Sequence, residues 1–380
     1  MNLLLSLPPR RVNRIAVSCF FFLAGLCFSS WASRIPSIQQ KLHLNNIALG
    51  GVLLALPCGL MVSLPLAGWL VHRFGSRPVA IGAALLYASI LPLLGFAGAV
   101  WQLVTGLFFF GMAGNMLNIS INTQAIGTEA LYGRSVMASY HGLWSLAGFS
   151  GASIGGLFLS LGWRPWQHFL VITALAFIIV AIMAGHLITR DLAADENRPI
   201  FARPDRSLIN LGIIAFCSMI CEGTMFDWSN VYFHEVIHPP ALLAGAGLTA
   251  FMSTMASGRF FGDWVTTRLG VKRILQISGS LTATGLLLSI LFPWLLPALL
   301  GFLMVGAGVS SVVPLVYSAA GRSKILSPGV ALAAVSTLGY LGFLFGPPFI
   351  GFIAHISSLR VSLGLIAILG SVIALFASKI

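Results

Sequence analysis

Two acidic residues lie inside one apolar run, where a charged group is costly. Glu222 and Asp227 fall within residues 208–233, a run long enough to cross a membrane as a helix. A carboxylate at the centre of such a helix costs at least about 2.5–3.5 kcal/mol unless it is neutralised, paired or in contact with water. Glu222, near the middle, is therefore a candidate proton carrier, and the alternative is a protonated or hydrogen-bonded structural acid. Their separation of five positions puts the two acids roughly 140° apart around the helix.

Three asparagines of another apolar run lie on one helical stripe. Asn115, Asn118 and Asn122 follow the spacing i, i+3, i+7, which places their amides on one face of a helix. Amides in hydrocarbon either hydrogen-bond to a neighbouring helix or face water. Both interpretations remain open, so these residues either join helices or bind a polar solute.

A titratable ring stands beside an aromatic ring near the start of the run at residues 138–161. His141 and Trp144 are three residues apart and share a helix face. Histidine can change its charge near physiological pH, and tryptophan suits a membrane interface or the face of a sugar ring. The alternative for His141 is a hydrogen bond to a neighbouring helix.

No catalytic or metal-binding set is recognisable. The sequence has no nucleophile elbow, no Walker loop and no HExxH motif. All five cysteines lie within apolar runs, and no histidine completes a metal set with Cys217 and Cys221. We therefore expect neither an enzyme nor a bound metal or organic cofactor.

Composition places these residues in a lipid bilayer. Of 380 residues, 58% are hydrophobic and 8% are charged, against about 25% charged in soluble domains. The net charge of +12 does not indicate a nucleic-acid partner, because the basic residues stand singly or in small groups between apolar runs. The first run lacks a cleavage site and is predicted to be a retained span.

Twelve runs reach the length of about 20 residues that a membrane helix needs. Their predicted bounds are 13–33, 47–71, 78–96, 100–124, 138–161, 166–188, 208–233, 241–264, 273–292, 294–318, 328–352 and 358–377. We number them as spans one to twelve. Residues 189–207 look soluble and lie near the midpoint, so they are predicted to link an N-terminal half, 1–188, to a C-terminal half, 208–380.

Basic residues predict the orientation, and short motifs predict a repeat. With both termini in the cytoplasm, sixteen lysines and arginines lie on that side and four on the other, with Arg259 left inside a span. The surroundings of Trp31 recur 197 residues later at Trp228, and those of Gly75 recur 195 residues later at Gly270. Matches in the same order predict a duplicated six-helix unit with a site between two parallel halves.

The loop after span two carries the most specific motif. It reads Gly68-Trp-Leu-Val-His72-Arg73-Phe-Gly75-Ser-Arg77 and resembles the G-x-L-x-D-R-x-G-x-R signature of the major facilitator superfamily, with His72 in place of the usual aspartate. With the twelve spans and the repeat, the resemblance covers the whole chain. It implies an all-α membrane protein of twelve transmembrane helices in two pseudo-symmetric six-helix bundles.

Within the superfamily, the chain resembles uncharacterised bacterial inner-membrane members related to the fucose/proton symporter group. The segments that carry this narrower resemblance are Trp31-Ala-Ser-Arg34, Tyr140-His141-Gly142-Leu-Trp144, Glu222-Gly223 with Asp227-Trp228, and Gly346-Pro347-Pro348. Fucose-type relatives use an acid in span one and another in span four, and this chain has neither. The resemblance places the chain in a bacterial inner membrane.

The resemblance also implies gating residues at both membrane surfaces. On the cytoplasmic side they are Gly68, Arg73, Gly75 and Arg77, with Arg259, Asp263 and Arg268 in the second copy. The alternative for the first copy is a plain basic anchor. Arg259 and Asp263 are four residues apart and are predicted to pair on one helix face. On the outer side, Arg34 and Asp227 are predicted to form a gate, because spans one and seven occupy equivalent places.

In the major facilitator fold, spans one, four, seven and ten line the central cavity. The substrate-cavity candidates are Trp31, Asn115, Asn118, Asn122, Trp144, Trp228 and Tyr317. The proton-coupling candidates are Glu222, Asp227 and His141. We expect a monomeric, proton-driven secondary transporter of a small polar solute, and the amides, hydroxyls and tryptophans of the candidate cavity suit a sugar-like one. The alternatives are a proton-driven multidrug or metabolite efflux pump, and a membrane sensor or assembly protein that transports nothing.

Overall fold

A computed structural model describes residues 8–132, 136–189, 191, 206–321 and 328–379. These residues are almost entirely helical, and no strand occurs in the ranges described. Twelve helical segments are long and apolar enough to cross a membrane, which confirms the predicted number of spans. The helices run over Pro9–Ser33, Ile35–Lys41, Asn46–Leu53, Ala55–Phe74, Ser76–Phe96, Val100–Tyr132, Met137–Ser160, Pro165–Met183, Arg206–Tyr232, Ala246–Leu269, Val271–Leu291, Leu295–Val309, Val312–Gly321, Pro328–Ile356 and Leu359–Ala377.

Most predicted bounds agree with the helices to within a few residues, and two differ for clear reasons. Span four continues to Tyr132, past the predicted end at 124, because no proline ends the helix there. Span eight begins at Ala246 instead of 241, since residues Ala241–Leu243 form a separate 3₁₀ turn after two prolines. The helix of span eleven continues through Pro347 and Pro348.

The chain divides into two compact units. The first comprises Met1–His43 and Ala55–Ala193, and the second comprises Leu44–Leu54 and Ala194–Ile380. In the first unit, span one packs on span five, span two on span four, and span three on spans four and six. In the second unit, span seven packs on eleven, eight on ten, and nine on ten and twelve. The same pairs therefore pack in each six-helix bundle, as a duplicated unit requires.

Glycines allow close approach at the equivalent helix pairs one–five and seven–eleven. A Cβ on Gly151 would lie 2.9 Å from the carbonyl oxygen of Leu26, and one on Gly342 would lie 2.6 Å from that of Phe216. Backbones at this separation leave no space for a methyl group, so these glycines are packing residues. Gly346 of span eleven has no neighbour within 4 Å of its ideal Cβ.

Large apolar side chains occur both inside and outside the bundles. Phe20 and Phe110 are buried in the first unit, and Phe251 and Phe302 are buried in the second. Outward-facing residues such as Trp101 are also apolar. A soluble protein rarely exposes so much apolar surface, whereas a bilayer requires it.

Candidate functional site

The acid at the centre of span seven forms an ion pair inside the second unit. Oε1 of Glu222 lies 3.2 Å from a terminal nitrogen of Arg259 on span eight. The two side chains are only 9% and 13% exposed, respectively. Arg259 was predicted to pair with Asp263, whose side chain lies outside the described part of the structure. The contact with Glu222 explains how both charges are tolerated within spans.

Span ten carries a hydroxyl group near this part of span seven. The hydroxyl of Tyr317 on span ten lies 4.0 Å from the sulfur of Met219, one turn before Glu222. Tyr317 is half-buried, and its role as a cavity residue stays a prediction. Span ten therefore contributes a hydroxyl group close to the turn of span seven that carries the acid.

The second acid of span seven lies in a different environment. Asp227 is half-buried, and Trp228 beside it is fully buried. Oδ1 of Asn230 accepts a hydrogen bond of 3.1 Å from the backbone N–H of Leu248, in the first turn of span eight. This bond satisfies a helix N-terminal donor and joins spans seven and eight one turn beyond Asp227.

The predicted partner of Asp227 lies in the first unit, where it is deeply buried. Arg34 caps the helix of span one and is 0% exposed. Its Nε donates to Nδ1 of His168 on span six at 3.3 Å. Burial lowers the pKa of Arg34 to about 10, so the guanidinium stays protonated at neutral pH. The predicted gate between Arg34 and Asp227 stays a prediction.

The two tryptophans that mark the repeat have the same burial. Trp31 is 2% exposed and Trp228 is 0% exposed, and the indole nitrogen of each has no hydrogen-bond partner among the described residues. A buried indole N–H normally finds an acceptor. Their role as cavity residues stays a prediction, although an unsatisfied donor is consistent with it.

The three asparagines of span four have different environments, and each of the two predicted roles, joining helices or binding a solute, fits some of them. Asn115 is buried, and its Nδ2 donates to the hydroxyl of Ser63 at 2.8 Å and to the carbonyl of Leu60 at 3.3 Å. Both partners are on span two, so Asn115 joins two helices. Asn118 is exposed, and Nδ2 of Asn122 donates to its side-chain oxygen at 3.0 Å. These two amides remain candidates for solute contact.

The start of span five packs against span one. His141 contacts the ring of Phe21 edge-on, with centroids 5.4 Å apart, and the ring of Trp144 lies 6.0 Å from that of Phe28. Both residues are half-buried. The structure therefore places them on the interface of spans one and five, where the cavity role predicted for them stays untested.

The turn after span two has the geometry that its motif predicts. Gly75 has φ +84°, and its counterpart Gly270 has φ +78°, which L side chains rarely adopt. The guanidinium of Arg77 donates to the carbonyls of Ala184 and Gly185, beyond the end of the span-six helix. A cation at this position is favourable, because a helix C-terminus carries partial negative charge.

The remaining members of the two motifs face outward. Gly68 and Arg73 are exposed. Arg268 is also exposed, and its guanidinium stacks 4.3 Å from the ring centroid of Trp264. Gating by these residues stays a prediction.

Sequence reasoning missed a polar network at the Gly75 end of the first unit. Asp191 accepts hydrogen bonds from the backbone N–H and the hydroxyl of Ser76, the first residue of span three. Gln124 donates to the same hydroxyl at 2.7 Å and forms two bonds with the backbone of Ile188. The network ties the segment after span six to spans three and four. No local signal in the sequence indicates this contact, because Ser76 and Asp191 are 115 residues apart.

The described residues contain no group of three or more His, Cys, Asp or Glu that could hold a metal ion. Cys19, Cys27, Cys58, Cys217 and Cys221 are all free thiols. Within that part of the chain, charged groups inside spans or at their ends include the Glu222–Arg259 pair, Asp227 and Arg34.

Twelve spans in two repeated bundles, with an ion pair inside the membrane, define a polytopic membrane transporter. The sequence profile of the Major Facilitator Superfamily matches residues 17–324. The chain therefore belongs to that superfamily, whose members are transporters and not enzymes.

Similar proteins agree with this assignment. An uncharacterized MFS-type transporter of Yersinia pestis is 33% identical over 365 residues, which cover 96% of this chain and 94% of the relative. The crystal structure of a bacterial homolog of the human lysosomal transporter Spinster superposes with a TM-score of 0.76 at 14% identity, covering 98% and 97% of the two chains. The fucose:proton symporter FucP of E. coli gives 0.62 at 16% identity, covering 98% and 99%. The two solved structures show the shared fold.

Proposed function

We propose that this chain is a proton-coupled secondary active transporter of a small polar solute. It works by alternating access in a bacterial inner membrane, with both termini in the cytoplasm and the proton gradient as its energy source. The observation that carries the proposal is the Glu222–Arg259 ion pair between spans seven and eight.

Protonation of Glu222 should strongly weaken the attraction between spans seven and eight. Each charge is tolerated in the membrane because the other compensates it. Protonation of Glu222 neutralises the carboxylate and leaves the Arg259 guanidinium without that partner. The contact between spans seven and eight then loses most of its attraction, and a change in helix packing or in solute affinity follows from one proton.

The polar character of the solute rests on span four and span ten. The exposed amide of Asn118, the amide of Asn122 bonded to it, and the half-buried hydroxyl of Tyr317 can each hydrogen-bond to a solute. A sugar-like solute matches this set of groups. The fold shared with a fucose:proton symporter is compatible with it but does not define the solute.

The experiment has two stages. Thermal unfolding of the purified protein with a panel of sugars, nucleosides, amino acids and aromatic compounds identifies solutes that stabilise it. Uptake of a stabilising solute into proteoliposomes is then measured with and without a pH gradient. Glu222→Gln should abolish gradient-driven accumulation and retain exchange of solute for solute. The sign of the driving gradient separates uptake from efflux.

The matched control is Glu235→Gln, which removes another acid of the second unit. Glu235 accepts a hydrogen bond from Asn46 at 3.0 Å beyond the helix of span seven. This variant should keep the pH dependence of wild type. Unchanged pH dependence in Glu222→Gln contradicts the proposed coupling, and a protein that transports no member of the panel favours the sensor or assembly alternative.

A further inference from the structure

Arg34 and His168 form a buried group of donors in the first unit. Arg34 ends the helix of span one and is 0% exposed, and His168 on span six is also 0% exposed. The Nε–H of Arg34 donates to Nδ1 of His168 at 3.3 Å. The two terminal nitrogens of Arg34 and Nε2 of His168 have no hydrogen-bond partner in the described part of the chain.

All of the unsatisfied atoms are donors. Nδ1 of His168 accepts a hydrogen bond, so the neutral imidazole carries its proton on Nε2. Trp31, three residues before Arg34 in span one, also has a buried indole N–H without a hydrogen-bond partner among the described residues. Buried donors around a permanent cation require an acceptor, and an anion supplies both the lone pairs and the opposite charge.

The described acids of the first unit do not supply that charge. Glu129 accepts from the backbone N–H groups of Val136 and Met137, and Asp191 accepts from Ser76. Arg259 in the second unit is different, because Glu222 faces it at 3.2 Å. One buried arginine thus has a carboxylate from the chain, and the other has a histidine that brings no negative charge.

We propose that Arg34 and His168 form a binding site for a small monovalent anion, either the carboxylate of the transported solute or a halide. For a solute carboxylate, this inference rests on the proposed transport function and narrows the transported substrate to organic acids. A guanidinium fork matches a carboxylate in geometry and charge. A divalent anion would leave one charge uncompensated in a buried site.

Aromatic rings and closely packed helices surround His168. The ring of Phe158 contacts His168 edge-on at 5.3 Å and stacks on Trp163 at 4.4 Å. A Cβ on Gly155 would overlap the hydroxyl of Ser33 and lie 3.3 Å from Cε1 of His168, so spans one and five pack closely beside the histidine. An aromatic face next to a cation suits an apolar group attached to a carboxylate.

The test measures the thermal unfolding midpoint of the purified protein in sodium acetate, sodium bromide and sodium sulfate at constant ionic strength. Wild type should be stabilised by acetate, bromide or both, by on the order of 5–10 °C at a hundredfold excess over Kd. Arg34→Gln should weaken the apparent Kd by about tenfold or more. The control Arg164→Gln removes an exposed arginine one turn before His168 and should respond as wild type does.

A second variant covers the case in which Arg34→Gln does not fold. His168→Asn keeps an acceptor for Nε of Arg34 and removes the Nε2 donor, so the apparent Kd should rise by about threefold to tenfold. Stabilisation by acetate identifies a carboxylate site, and stabilisation by bromide alone identifies a halide site. Equal responses of wild type and both site variants, or a response to sulfate alone, would overturn the proposal. Because no gradient is used, this result is independent of the uptake assay for proton coupling.

Discussion

Glu222→Gln removes the carboxylate that faces Arg259 and leaves the guanidinium buried without it. The side chains are 9% and 13% exposed, so water replaces the lost partner poorly. Removing one member of a buried ion pair costs about 3–5 kcal/mol, whereas an exposed pair contributes at most about 1 kcal/mol. We therefore expect about 3–5 kcal/mol of destabilisation for Glu222→Gln, and a similar loss for Arg259→Gln.

The double variant Glu222→Gln with Arg259→Gln replaces the ion pair by two neutral amides that can bond to each other. Its loss should be smaller than that of either single variant, because no uncompensated charge remains. The coupling energy of the cycle is then at least about 3 kcal/mol. In thermal unfolding, each single variant should lower the midpoint by roughly 6–20 °C.

Asp263→Asn tests the pairing that local spacing predicts for Arg259. If that pairing dominates, Asp263→Asn destabilises the protein as strongly as Glu222→Gln does. We expect a clearly smaller effect. Two single-variant losses that simply add in the double variant, or a Glu222→Gln protein within about 1 kcal/mol of wild type, would refute the reasoning.

Three further predictions concern packing, gating and topology. Gly342→Ala should lower the free energy of unfolding by about 1–3 kcal/mol, because its Cβ would lie 2.6 Å from the carbonyl oxygen of Phe216. Gly346→Ala on the same helix has open space and should be neutral or stabilising. Equal unfolding midpoints of the two variants would contradict this. Arg34→Ala and Asp227→Ala should be non-additive in transport if they form the outer gate, and additive effects would exclude it. Asn197→Cys in a cysteine-free chain should react only with reagents that reach the cytoplasm, and labelling from outside the cell would reverse the predicted orientation.

The helices were predictable because apolar length alone indicates a membrane span. The turn at Gly75 was predictable from its motif, since glycine tolerates the positive φ found there. Glycine also lets the backbones of spans one and five approach closely, as at Gly151. Each of these signals lies within one short segment of sequence.

The site was less predictable because it depends on contacts between distant segments. Local spacing suggested only Asp263 as a partner of Arg259, and that pairing stays a prediction. The contact with Glu222, 37 residues away, depends on how two helices pack. The sequence left the role of Asn115 open, and its bonds to span two favour the role of joining helices. His168 was not recognised as important, although a polar residue within the apolar run of span six was the signal for it.

A measurement of proton movement tests the central claim, proton-coupled transport, most directly. Proteoliposomes that contain a pH-sensitive dye receive each stabilising solute from outside, and the pH of the lumen is followed. With wild type, at least one solute should change the lumenal pH, and Glu222→Gln should abolish that change while solute exchange continues. A Glu222→Gln protein that moves protons with the solute as wild type does would contradict the account.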